Sequence, residues 1–175
     1  CGGERPSRYA EVLSVAALRG LLNQWADEPV NFINAPVLAD EMGLKFRESR
    51  ESGGGSYANL IEVAVQTDGA EHVVAGTLFN GEDLRLVRVN EYDLEAQPEG
   101  SMLFYKNVDR PGMLAQVGRL LADADINIGA LALGRRGRGE IALTAVNVDS
   151  PIPEDVLERI AALDGVESVR AVRVV

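Results

Sequence analysis

The chain has 175 residues, of which 46% are hydrophobic and 25% are charged, a composition typical of a folded globular protein with one ordinary domain or two small ones. Its formal net charge of −10 argues against nucleic acid and against anionic membranes as main partners, because both require a basic surface. No apolar run approaches the roughly 20 residues that a membrane-spanning helix needs, so we expect no membrane partner.

The sequence offers few side chains of the kinds that catalysis and metal binding require. Cys1 is the only cysteine, which excludes an internal disulfide and a cysteine metal cluster and is compatible with a reducing compartment. His72 is the only histidine and lies in a strand-like stretch, so we interpret it as a strand residue and not as a catalyst. We expect no catalytic residues and no metal ligands here. Because the chain starts without methionine, we expect it to belong to a longer protein.

The first part of the chain predicts two helices. Proline suits a first helical position and glycine follows many helix ends, so a short helix is predicted from Pro36 to Gly43, with Asn34 in its cap region. An earlier helix is predicted by apolar residues that recur at helical spacing and would face inward, namely Val12, Val15, Ala16, Leu18, Leu22 and Trp25.

After Gly43 the apolar period changes to two, which is typical of strands. Turn sequences separate the strands, and two of them, Asp68-Gly69 and Asn80-Gly81, favour hairpins. The glycines of residues 53–55 form another turn, since no phosphate-loop sequence follows them. We therefore predict an antiparallel sheet with two helices on one face, its strands lying at residues 44–51, 58–67, 71–79 and 84–89.

Four basic residues of this sheet leave two interpretations open. They either present an anion site or are ordinary solvated charges on strands. The residues are Lys45, Arg47, Arg85 and Arg88.

A turn-like joint at residues 97–100 is the predicted boundary between a domain of residues 1–98 and a domain of residues 99–175. The second domain reads as β-α-β-β-α-β, the ferredoxin-like arrangement in which both helices cover one face of a four-stranded antiparallel sheet. Its first helix is predicted to turn Leu114 and Val117 inward, and its second helix Val156 and Ile160. The predicted fold class is α+β. One sheet face would stay bare, so we expect self-association about a two-fold axis.

The corner between the first strand and first helix of this domain reads Asn-Val-Asp-Arg-Pro-Gly, from Asn107 to Gly112. Pro111 suits the first helical position, where backbone N–H groups lack acceptors and the helix dipole is positive. Such a corner can hold a small zwitterion, with amides for its carboxylate and Asp109 for its ammonium. Alternatively, Asp109 only stabilises the start of the helix.

A basic loop follows the second strand of the domain, with Arg135, Arg136 and Arg138. RNA-recognition modules share this topology, but they stack bases on exposed aromatic residues of the central strands. Residues 140–148 contain no aromatic residue. We therefore expect no nucleic-acid partner.

Several runs resemble known sequences. Residues 107–112, followed by Val117-Gly118 and Ile126-Asn127-Ile128, resemble the signature of the ACT domain, a small-molecule sensor. Gly134-Arg135, Ala142-Leu143 and residues 146–149 resemble the C-terminal ACT domain of the D-3-phosphoglycerate dehydrogenase family. Residues 17–22, 30–39 and 76–79 resemble the intervening domain of that family, also called the allosteric substrate-binding domain.

The resemblance implies a cytoplasmic parent enzyme that oxidises 3-phosphoglycerate with NAD in serine synthesis. The catalytic and NAD-binding domains would lie outside this chain, which itself would bind no cofactor. It also implies a homo-oligomer in which L-serine binds between two ACT domains and inhibits the enzyme by feedback.

Carried over by position, the serine contacts are Asn107, Asp109 and Asn127. Asp109 would receive the ammonium, Asn107 would reach the hydroxyl or the carboxylate, and Asn127 would come from the neighbouring subunit. Two alternatives remain: an oligomerisation module that binds no ligand, and the regulatory portion of an L-serine dehydratase.

Overall fold

The structure is a computed structural model that describes residues 1, 4–26, 28–50 and 57–174. The chain divides into two compact units, Cys1–Val63 and Ala64–Val175. In its described residues, the first unit contains three helices, α1 (Glu4–Arg8), α2 (Ala10–Leu22) and α3 (Ala35–Glu41). Strand β1 (Ile61–Gln66) begins in the first unit and ends in the second. In the described part of the chain, no helix is long and apolar enough to cross a membrane.

The second unit contains the remaining strands and two helices. In chain order these are β2 (Glu71–Phe79), β3 (Asp83–Val89), β4 (Tyr92–Ala96), β5 (Gly100–Val108), α4 (Met113–Asp123), β6 (Ile128–Arg135), β7 (Ile141–Val148), α5 (Glu154–Ala161) and β8 (Val166–Val174).

Helices α2 and α3 share a small apolar core, and both predicted helices are confirmed. Trp25 was predicted to face inward, but 60% of it is exposed because α2 ends at Leu22 and Trp25 lies in the following turn. Asn34 precedes α3 without capping it, since its side-chain oxygen instead accepts a hydrogen bond from the backbone N–H of Asn31. The residues of the shared core are Leu18, Leu22, Val30, Ala35 and Ala39.

The first sheet has the strand order β1-β2-β3-β4, with antiparallel pairing of β2 with β3 and of β3 with β4. A strand was predicted at residues 44–51. That prediction is wrong for residues 44–50, which form no strand. Both Leu44 and Phe46 are exposed. Residue 51 and the predicted turn at residues 53–55 lie outside the described residues. The hairpin at Asn80-Gly81 is confirmed, since both residues have positive φ.

The fourth strand of this sheet, β4, was not predicted. A two-residue turn at Asn90 and Glu91 joins it to β3, and Asn90 has a φ of 50°. Its buried residues alternate with exposed ones, as period two requires. The strand was missed because it directly precedes the joint at residues 97–100 and is only five residues long.

The second sheet has the strand order β6-β7-β5-β8, and every neighbouring pair is antiparallel. With the chain order β-α-β-β-α-β, this is the predicted ferredoxin-like unit, and the α+β class is confirmed. Helices α4 and α5 bury Val117, Leu121, Val156 and Ile160 against one face of the sheet. Leu114 was predicted to face inward but is 51% exposed, and its neighbour in the chain, Met113, is buried instead.

The other face of this sheet was predicted to be bare. That prediction is wrong, because β3 and β4 of the first sheet cover part of this face. Side chains of the two sheets form one apolar cluster here. Its members are Met102, Leu143 and Ala145 of the second sheet and Leu86, Tyr92, Leu94 and Ala96 of β3 and β4. This packing lies inside the second compact unit. The strands at the two outer edges, β6 and β8, have no further strand beside them in the described residues.

Tyr105 makes the stability of this core sensitive to alkaline pH. It lies opposite Thr144 in the sheet register, and burial raises the pKa of Tyr105 above its usual value, while a hydrogen bond with Thr144 partly opposes that rise. A raised pKa means that the stabilising contribution is complete below the unfolded-state pKa of about 10 and is lost as the pH rises through the higher folded-state pKa.

We therefore expect the free energy of unfolding to fall above about pH 10. Tyr105→Phe should reduce that fall and lower the stability at neutral pH by about 1 kcal/mol through the lost hydrogen bond. Urea unfolding between neutral and alkaline pH measures both effects, with Tyr9→Phe at an exposed tyrosine as the control. An unchanged alkaline slope in Tyr105→Phe would contradict this prediction.

Candidate functional site

Backbone hydrogen bonds hold the corner that follows β5. The N–H of Val108 donates to the carbonyl of Gly165 over 2.8 Å, and the N–H of Asp109 donates to the carbonyl of Glu140 over 2.8 Å. Pro111 was predicted at the first helical position, but it lies in a turn, and α4 begins two residues later at Met113. The reason is Gly112, whose φ of 90° is left-handed and therefore non-helical. The corner thus has a fixed backbone.

Asn107 is a buried polar residue at the end of β5, with only 4% of its surface exposed. Its side-chain Nδ2 donates a hydrogen bond to the carbonyl of Val108 over 2.8 Å. Its Oδ1 is buried and has no hydrogen-bond partner among the described residues. A buried acceptor without a partner is rare and destabilising. A donor group that reached this oxygen would therefore remove that cost.

The carboxylate of Asp109 forms an ion pair with the guanidinium of Arg135, through Oδ2 and Nη2. The Asp109 side chain is only 18% exposed, whereas that of Arg135 is 50% exposed. Among the described contacts, the Asp109 carboxylate pairs with Arg135 and forms no hydrogen bond with the start of helix α4.

Arg135 belongs to this site, although the sequence did not identify it as a ligand contact. Its position follows from the sheet register, in which Asn107 on β5 and Arg135 on β6 both lie opposite Ala142 on β7. From the sequence, Arg135 was named as a possible RNA contact and as part of the resemblance at Gly134-Arg135, but it was given no role in ligand binding. The position of Arg135 beside Asp109 could be predicted only from the register of β5, β6 and β7. Local sequence patterns do not supply that register.

Asn127 lies at the opposite end of the same sheet. It directly precedes β6, whose first residue pairs with Val148 on β7, whereas Asn107 pairs with Ala142. Six residues of extended strand separate those two positions, which is roughly 20 Å. Asn127 is exposed and donates a hydrogen bond to the carboxylate of Asp149 over 2.8 Å. One subunit therefore brings Asn107 and Asp109 together but cannot bring Asn127 to them.

An open cavity of about 620 Å³ lies beside Asp109. The β5–α4 corner and the loop between β6 and β7 line it, with the residues Asp109, Arg110, Pro111, Arg135, Arg136, Gly137 and Arg138. Its volume falls in the range of small-molecule sites. Asp109 and Arg135 supply the two charges that complement the ends of a free amino acid, and three further arginines line the cavity.

On the first sheet, Arg85 was one of the residues considered for an anion site. Its Nη2 forms an ion pair with Asp83 over 3.3 Å.

Residues 2–90 match the family model of the D-3-phosphoglycerate dehydrogenase intervening domain, and this match covers 89 of the 175 residues. The chain belongs to this intervening-domain family. Residues 101–165 match the ACT domain. The β5–α4 corner, Asn127 and the cavity all lie within the ACT domain of this family member.

Curated relatives extend the similarity over nearly the whole chain. The chain is 30% identical to D-3-phosphoglycerate dehydrogenase of Synechocystis over 94% of its own length and 30% of the relative. It is 32% identical to the enzyme of that name from Archaeoglobus fulgidus, over 95% of the chain and 32% of the relative. For Mycobacterium bovis the identity is 35%, over 91% of the chain and 31% of the relative. The chain thus spans about a third of the length of the curated relatives that it matches.

Proposed function

We propose that this chain is the regulatory portion of a cytoplasmic D-3-phosphoglycerate dehydrogenase and that its ACT domain binds L-serine for feedback inhibition. The family match and the names of the relatives support the enzyme class. The NAD-dependent oxidation of 3-phosphoglycerate belongs to other domains of the parent. In this chain no Gly-x-Gly-x-x-Gly follows a strand, so its residues do not fit a dinucleotide site.

The observation that carries the proposal is the buried Oδ1 of Asn107, which lacks a partner among the described residues and lies two residues from Asp109. The serine hydroxyl donates a hydrogen bond to this oxygen. The serine ammonium binds the carboxylate of Asp109 and replaces the guanidinium of Arg135 there. Once released, Arg135 binds the serine carboxylate, together with the N–H groups of the first turn of α4, which have no acceptor inside the helix.

The third contact, Asn127, comes from a second copy of the chain, because Asn127 of the same subunit lies at the far end of the sheet. A ligand that contacts two subunits binds only one of their relative arrangements well. Such differential affinity is how an effector shifts a conformational equilibrium. Serine binding would thereby be coupled to the orientation of the subunits and, through it, to the activity of the parent enzyme.

The test is calorimetric titration of L-serine, with L-alanine as the matched ligand that lacks the hydroxyl. We expect L-serine to bind one site per subunit and L-alanine to bind at least about tenfold more weakly, because Asn107 then keeps an unpaired oxygen. No heat at millimolar L-serine, with the folded dimer present, would contradict the proposal.

Subunit mixing then tests whether the site spans two copies. Asp109→Asn and Asn127→Ala homodimers should each fail to bind L-serine. In a mixed two-fold dimer, one site carries both substitutions and the other carries neither. Doubly tagged mixed dimers should therefore recover one site per dimer. If they bind none, the site does not combine these residues from two subunits.

A second candidate function is a ligand-free oligomerisation module. The ion pair between Asp109 and Arg135 favours it, because that pair satisfies the carboxylate without a ligand. In that case, L-serine would change neither the oligomer nor the activity of the parent. The reported relatives all carry the dehydrogenase name, so the comparisons lend no support to an L-serine dehydratase.

A further inference from the structure

Four arginines line the cavity beside Asp109, and two of them form no ion pair with a residue that the structure describes. Arg110 pairs with Asp164 over 2.7 Å, and Arg135 pairs with Asp109. Arg136 and Arg138 are exposed and form no ion pair or hydrogen bond with a residue that the structure describes. Two unpaired guanidinium groups in one cavity are notable in a chain whose net charge is −10.

The loop that carries these arginines is tightly folded. The N–H of Glu140 donates to the carbonyl of Gly137 over 3.3 Å, and Gly139 has a left-handed φ of 83°. A side chain at Gly137 would come within 3.0 Å of the Glu140 carboxylate, so the glycine lets the loop fold back on that residue. Arg136 and Arg138 are thereby held on either side of Gly137, at the same cavity.

The positive charge of this loop also acts on its surroundings. Burial raises the pKa of Glu91, but a backbone hydrogen bond, Lys106, Tyr92 and Arg136 together hold that pKa below its usual value. Asp164 and Asp109 are already paired with Arg110 and Arg135. The Glu140 carboxylate beside Gly137 forms no ion pair with Arg136 or Arg138 among the described contacts. The charge of Arg136 and Arg138 therefore remains available to an anion from solution.

We propose that this cavity binds the phosphate group of a small phosphorylated metabolite through Arg136 and Arg138. A phosphate monoester carries nearly two negative charges and three acceptor oxygens, and the planar fork of a guanidinium fits two of them at once. A volume of about 620 Å³ admits a metabolite of a few carbon atoms. The serine site proposed above uses Asn107, Asp109 and Arg135, so the two proposals can fail separately.

The experiment is calorimetric titration of the whole chain with inorganic phosphate and with glycerol 3-phosphate, with sodium chloride added to hold the ionic strength constant. We expect saturable binding of both probes. The double variant Arg136→Gln/Arg138→Gln should bind both at least about tenfold more weakly, since charge-assisted hydrogen bonds are lost, and should keep its affinity for L-serine.

The matched control is Arg119→Gln/Arg159→Gln, which removes the same charge from helices of the same unit outside the cavity lining. It should bind the probes like the wild type. Equal weakening in both double variants would overturn the proposal in favour of general electrostatic attraction. Binding of inorganic phosphate but not of the ester, or equally tight binding of acetate, would also overturn it. If the double variant unfolds, the two single variants replace it, each with an expected loss of at least about threefold.

Discussion

Asp109→Asn should weaken L-serine binding at least about a hundredfold, which corresponds to about 2.7 kcal/mol. The substitution keeps the shape of the side chain but removes the charge that receives the ammonium. It also leaves the guanidinium of Arg135 without its partner, so the cavity then repels the ammonium of the ligand. The fold should be retained, because the hydrogen bond from Asp109 to Glu140 uses the backbone N–H. Calorimetry on the wild type and the variant measures the difference.

Asp164→Asn is the matched control, because it removes the same charge from the other aspartate that pairs with an arginine of the cavity. Asp164 is almost fully exposed, and the proposed site does not use it. Its substitution should change the serine affinity by less than about twofold. If Asp109→Asn bound L-serine like the wild type, the ligand-free oligomerisation module would become the better account of this domain.

Gly134→Ala should lower the stability of the second unit by about 2 kcal/mol, because it inserts a methyl group where there is no space. A Cβ at this position of β6 would lie 2.8 Å from the carbonyl oxygen of Asp93 and 3.0 Å from the Cβ of Tyr92, both on β4. The carbonyl oxygen is backbone and cannot rotate away. The methyl group would therefore force β4 away from β6. Urea unfolding measures the loss.

Gly129→Ala tests whether the loss is specific to that contact, because it makes the same substitution in the same strand. A Cβ there would meet the Asp149 carboxylate at 3.5 Å, which is an ordinary contact. We expect a change of stability within about 0.5 kcal/mol. Equal losses in the two variants would show that alanine disfavours β6 in general and that the contact with β4 does not matter.

Local signals in the sequence were enough for much of the fold. The order β-α-β-β-α-β followed from the alternation of apolar periods and from the prolines and glycines between them, because these features act over a few residues. Asn80-Gly81 produced the expected hairpin, since both residues adopt the positive φ that the turn requires. The corner at residues 107–112 also stood out before the structure was known, because polar residues interrupt two apolar segments there.

The same local reasoning failed where a partner element decides the outcome. Residues 44–50 alternate like a strand, but in the described residues they pair with no other strand. Leu114 has the right spacing to face inward, yet it is 51% exposed and Met113 is buried in its place. Pattern alone identifies an apolar residue, but packing against a neighbour determines whether it is buried.

By itself, then, the sequence determined the α+β class, the ferredoxin-like order of the second half and the position of the strand-to-helix corner. Only the tertiary structure decided that Arg135 pairs with Asp109, that Asn127 lies at the opposite end of the sheet, and that β3 and β4 cover the second face of that sheet. Each of these facts joins residues far apart in the chain. The relative positions of these residues depend on strand register and on packing between sheets, which no local pattern encodes.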